Sequence, residues 1–208
     1  MKHLLVLLCL MIPVGTVQAD FVQLGGNLSA ANQDGSDPNF FTDPNGVVPT
    51  SATGMIFGTL DTDNFTFDFN LQVNGIFRED LRDFGPNMTP IHLHLPGQIG
   101  AFGPIAVDLT LGATMADYTD TATGFELSRT VSVLLEDQGG VVLGMHPGND
   151  LILDALQSGR AFALVHTTNP DINGFPFGEI RGNIGVVPEP SSVFVLGLGT
   201  LCFLRRRK

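Results

Sequence analysis

The sequence predicts an all-β fold, an antiparallel β-sandwich with one short helix. Three observations point to it. Phe65, Phe67, Phe69, Leu71 and Val73 alternate with Thr66, Asp68, Asn70 and Gln72, the period of two that a half-buried strand requires. Shorter alternations of the same kind recur along the chain, separated by Gly, Pro, Asn and Asp. One stretch alone, residues 150–158, carries a helical pattern of any length.

Taken in chain order, the first segment stands outside the fold. Lys2 and His3 precede an apolar run over residues 4–14, and Val17-Gln18-Ala19 follows as a small-x-small cleavage site. A basic start, a short apolar core and small residues at the exit describe a secretory signal peptide over residues 1–19. A retained membrane anchor is the competing reading, but the run is shorter than the about 20 residues a span needs. Residues 32–49, rich in Asp, Asn, Gly and Pro, read as a long solvated loop. Its Asp34, Asp37 and Asp43 offer oxygens to calcium but lack the EF-hand spacing.

Residues 54–60 read as a strand joined to the alternating run 65–73 by Asp61-Thr62-Asp63-Asn64, a hairpin turn. Ile91, Leu93 and Leu95 alternate with His92 and His94. Ile105, Val107, Leu109 and Leu111 form the next alternation, followed by Phe125 and Leu127, then Val131 and Val133. The helix at 150–158 has Asn149 as its cap and Gly159 as its stop. Residues 161–166 and 179–186 complete a set of about eight short strands.

The chain closes on a second segment outside the fold. Pro188-Glu189-Pro190 leads into an apolar run over residues 193–204 and then Arg205-Arg206-Arg207-Lys208. A breaker, a short apolar stretch and a basic stop would insert transiently in a membrane with the basic end held inside. This order resembles the PEP-CTERM sorting signal of Gram-negative bacteria. The resemblance implies export through the inner membrane, removal of the tail by a membrane protease of the exosortase type, and release to the surface or the extracellular matrix. The expected division is therefore a signal peptide at 1–19, one domain at 20–187 and a sorting tail at 188–208.

Setting both ends aside changes the charge. Both lysines, three of the eight arginines and both cysteines, Cys9 and Cys202, lie in the ends. Residues 20–187 keep five arginines against 20 acids, a net charge of −15. Nucleic acid is excluded as a partner, because such binding rests on neutralising phosphates with Lys and Arg. A disulfide is excluded too, so burial must stabilise the domain.

The residues able to carry chemistry are few. His92 and His94 are two apart on a strand, so both side chains leave one face. His166 ends another strand, on the face of Phe162 and Leu164. Imidazoles converging in this way can hold one metal ion, and His92, His94 and His166 are the candidate ligands. Hydrogen-bonding structural histidines are the alternative. Glu179 and Arg181 share one face of the last strand, where a structural ion pair with loop-anchoring hydrogen bonds competes with a catalytic or substrate-steering role. No Gly-x-Ser-x-Gly nucleophile motif and no phosphate-cradling glycine loop occur.

Ile91-His92-Leu93-His94, Gly103-Pro104-Ile105-Ala106-Val107, Val165-His166-Thr167 and Gly178-Glu179-Ile180-Arg181-Gly182 together resemble the CHRD domain, found in chordin and in bacterial surface proteins. Leu28-Ser29-Ala30-Ala31-Asn32-Gln33 resembles a degraded form of that family's start. The resemblance implies an immunoglobulin-like sandwich without an established catalytic activity, acting by binding or scaffolding toward an extracellular ligand.

A weaker resemblance links the same residues to copper-zinc superoxide dismutases. It implies a superoxide-dismutase-like sandwich with His92, His94 and His166 as copper ligands and Arg181 as the steering arginine. The chain departs from that pattern: it has no histidine between Leu95 and Asp120, no zinc-ligand cluster and no disulfide, and His146 stands in a different position. Copper is accordingly the candidate cofactor, with metal binding or redox chemistry as the alternative to a purely scaffolding role.

Overall fold

A computed structural model describes residues 21–32, 49–82, 89–95, 105–134, 149–168 and 178–188, and among these residues it has nine strands and one α-helix. The strands are β1 (Phe21–Ser29), β2 (Thr53–Asp61), β3 (Thr66–Asn74), β4 (Ile91–His94), β5 (Ile105–Asp108), β6 (Tyr118–Asp120), β7 (Gly124–Ser132), β8 (Ala161–Val165) and β9 (Ile180–Val186). The helix α1 spans Asn149–Gln157 and precedes β8. All neighbouring strands pair antiparallel, in the order β5-β4-β8-β9-β1-β2-β3-β7-β6.

The sheet curls on itself, so that the two ends of this order meet. Arg129, on β7, donates from Nη1 to the carbonyls of Leu109 and Leu111, just past β5, at 3.4 and 3.0 Å. Curling encloses one face as the core and yields the sandwich-like all-β architecture that the alternation predicts. On β3 the alternation is complete. Phe67, Phe69, Leu71 and Val73 are buried while Asp68 and Asn74 stand exposed. Each such side chain contributes roughly 1.5–3 kcal/mol by leaving water.

The β2–β3 hairpin closes on the acid expected there. Asp61 Oδ1 accepts from the amides of Asp63 and Asn64 at 3.0 and 2.9 Å, and Oδ2 accepts from Asn64 Nδ2 at 2.7 Å. The turn includes Phe65 at φ 54°, a left-handed conformation unusual for an aromatic residue. Its half-buried ring packs on the core, and its carbonyl accepts from the Val133 amide at 2.8 Å.

Two strands lie outside the sequence expectation. In β1 only Leu24 and Leu28 are buried, and four-residue spacing hides the period of two. Gly25-Gly26 breaks the pattern for a packing reason: a Cβ on Gly26 would stand 2.1 Å from the Asn183 carbonyl of β9. The strand β6 is only three residues long, too short to show a period. The run expected over residues 105–111 is also shorter as a strand, since β5 ends at Asp108 and Leu109 to Gly112 turn away. The two alternations at 125–127 and 131–133 instead fall on one continuous strand, β7 (Gly124–Ser132), with Val133 just past its end.

Candidate metal centre

The adjacent strands β5, β4 and β8 are buried on both faces, which is why their apolar and polar alternates are equally shielded. Ile91, Leu93, Ala163 and Val165 belong to the apolar core. The opposite face of the same strands carries His92, His94, Phe162, Leu164 and Asp108. Register sets their neighbours. His94 pairs with Phe162 and His92 with Leu164 across β4 and β8, and His92 pairs with Asp108 across β4 and β5. A register shift between Leu93 and His94 bends β4 against β5 at the second histidine.

His166 follows directly on β8, and its backbone is fixed on both sides. Its amide donates to the Pro90 carbonyl at 2.8 Å, and its carbonyl accepts from the Arg82 amide at 3.1 Å. The ring therefore reaches the other two: centroids of His92 and His166 are 5.2 Å apart, of His92 and His94 5.9 Å, and of His94 and His166 6.4 Å. One ligand nitrogen from each histidine lies within 4.8 Å of the others. All three side chains are buried, at 0, 7 and 3% exposure for His92, His94 and His166.

Burial also sets their protonation. Loss of solvation pushes His92 down to about 4, only partly opposed by the Thr89 backbone acceptor. His166 is held well below the usual imidazole range by burial first, then by the proximity of His92, His94 and Arg82. Both rings are thus neutral at pH 7, the form that binds a metal ion.

The flanking residues are packed as tightly. Phe162 stacks on His94 with centroids 5.0 Å apart and planes at 14°, while the fully buried Arg181 places Cζ 3.5 Å from the Phe162 centroid. Because β8 lies between β4 and β9, the Phe162 ring stands between histidine and arginine. Glu179 accepts from Thr50 Oγ1 and Thr167 Oγ1, both at 2.6 Å, and ties the segment before β2 to the end of β8. Gly178, at φ 74°, makes the bend that presents it; a Cβ there would stand 2.6 Å from Leu164 Cγ.

The sequence expectation names the three histidines but misses Asp108, which the alternation of 105–111 could have exposed. With Ile105, Val107 and Leu109 directed to one face, Asp108 must take the other, beside His92. His146, Asp34, Asp37, Asp43, Glu189 and Pro190 lie outside the described residues, as do residues 1–19; Pro188 is described and exposed.

These motifs also decide the chain's kinship. A family profile described as the CHRD domain matches residues 30–184, a span that includes His92, His94, His166, Glu179 and Arg181. The chain belongs to the CHRD-domain family. A second profile, the PEP-CTERM protein-sorting motif, matches residues 186–208. No curated protein and no solved structure gives a significant match. The CHRD domain is thus part of a Gram-negative protein exported to the cell surface or extracellular space and sorted through its C-terminal tail, with processing by an exosortase implied. Among the described residues, no helix is long and apolar enough to cross a membrane.

Proposed function

We propose that this CHRD domain acts by binding after export, and that His92, His94 and His166 hold a transition-metal ion, copper foremost. The convergence of three buried imidazole nitrogens within 4.8 Å carries the reading. Two nitrogens each about 2.0–2.1 Å from one ion stand at most about 4.2 Å apart, so modest side-chain rotation completes the set. Imidazole suits copper, zinc, iron and nickel, and copper heads the divalent affinity order. Three histidines leave a fourth position open for water or a ligand. The reading takes residues 1–19 as a removed signal peptide, residues 20–187 as the working domain and residues 188–208 as the removed tail.

A scaffolding role in the extracellular matrix is the second reading, and one observation favours it. Phe21 of β1 and Met55 and Phe57 of β2 are exposed at 59, 42 and 44% on one outward face of the β1–β2 pair, a surface suited to an apolar partner. Metal analysis separates the two. The purified protein is exposed to Cu(II), freed of excess ion and analysed beside His92→Ala and His94→Ala. The metal reading expects near-stoichiometric copper in the parent and loss in both variants. Metal-free parent protein sinks it and leaves the scaffold.

A further inference from the structure

Asp108 ends β5 as the cross-strand partner of His92. Both side chains are fully buried, and Asp108 Oδ2 lies 4.0 Å from His92 Nε2. The other carboxylate oxygen is already engaged. Oδ1 accepts from the Thr110 amide at 2.9 Å, from the Thr110 hydroxyl at 3.4 Å and from the Thr89 hydroxyl. Those three donors hold the carboxylate in place and leave Oδ2 turned toward the imidazole. A carboxylate is costly to bury without such partners, so its placement is a specific feature of the fold.

Strand order settles which side of His92 it occupies. β4 lies between β5 and β8, so the backbones that carry Asp108 and His166 flank His92 from opposite sides. Asp108 is not one of the converging ligands: among the described residues, the group whose ligand atoms all lie within 4.8 Å consists of the three histidines alone.

We propose that Asp108 is a positioning residue for His92, its carboxylate accepting the Nε2–H of the neutral ring in competition with the Thr89 backbone acceptor, and leaving Nδ1 for the metal ion. The gap of 4.0 Å exceeds a hydrogen bond by about 1 Å, which a small ring rotation closes. A carboxylate behind a ligating imidazole fixes its tautomer and raises its basicity, and such partners typically account for about 10–100-fold in metal affinity. The inference rests on the metal-binding reading above.

Its test joins a binding titration to a spectroscopic one. The purified protein, Asp108→Asn and His92→Ala are titrated with Cu(II) alone and with Zn(II) alone, and long-range proton–nitrogen NMR of the metal-free parent reports which His92 nitrogen carries the proton. The expected results are a proton on Nε2 and an affinity about 10–100-fold weaker in Asp108→Asn, with its native circular dichroism kept. A proton on Nδ1, or unchanged affinity in Asp108→Asn, overturns the proposal. If the parent binds neither ion, the metal reading itself has failed, and the NMR result still decides whether Asp108 sets the tautomer. If Asp108→Asn does not fold, the same NMR result on the parent decides.

Discussion

The guanidinium of Arg181 lies over the ring of Phe162, 3.5 Å from Cζ to centroid, and the same ring stacks on the imidazole of His94. A buried cation, an aromatic ring and a candidate ligand therefore form one packed column across β9, β8 and β4. The contact between Arg181 and Phe162 answers part of the cost of burying a charge at 1% exposure.

Phe162→Leu tests the column. Leucine keeps apolar volume but offers no π face, so the cation–π contact and the stack on His94 are both lost. The expected cost is about 1–3 kcal/mol of stability, read as a lower urea midpoint with an unchanged slope. Copper affinity should also fall, because His94 loses the ring that holds its orientation. An unchanged urea midpoint would show that Phe162 merely fills space.

How much of this was legible in the residues depends on the strand. β3 declares itself because Phe67, Phe69, Leu71 and Val73 face one packed side while its polar alternates face water. β4, β5 and β8 are covered on both sides, so their polar alternates mark chemistry instead of solvent. That is why His92 and His94 stand out as a site. Asp108 is within reach of the same reasoning, since it sits opposite Ile105, Val107 and Leu109 in the alternation, although the run overstates the strand, which ends at its fourth residue. β1, by contrast, is obscured. Its glycines serve the close approach of β9, a contact between residues about 155 positions apart that no local period encodes. Thr50 and Thr167 are likewise invisible locally, although both are set by where Glu179 reaches.

The C-terminal tail carries its own prediction. The apolar run at 193–204 would extend about 18 Å as a helix, against a hydrocarbon core about 30 Å thick. Such a segment suits a transient processing substrate better than a lasting anchor. Mass spectrometry of protein recovered outside the cell should therefore find a chain ending near Pro188, without Arg205 to Lys208. An extracellular chain still ending at Lys208 would exclude cleavage there.

Acid should destabilise the metal-free domain in a window set by the histidines. His92 titrates at about 4 when folded, against 6.5 as its ordinary value, and burial also holds His166 well below that value. Between about pH 6.5 and pH 4 the unfolded chain thus binds more protons than the folded one, so stability falls as pH falls. From 6.5 to about 4, at about 1.4 kcal/mol for each pKa unit, His92 accounts for on the order of 3 kcal/mol. His166 acts in the same direction. Asp61 and Asp117 have pKa values lowered by their hydrogen bonds to Asn64 and Thr114, so their contribution is lost only below the ordinary carboxylate value of 3.8. Urea midpoints measured from pH 8 to pH 3.5 should be nearly level above pH 7 and drop steeply between 6.5 and 4. In His92→Gln the drop should be shallower, since glutamine has no proton to gain. A midpoint level down to pH 4 in the parent would mean that the buried rings accept protons without cost, contrary to the packing around them.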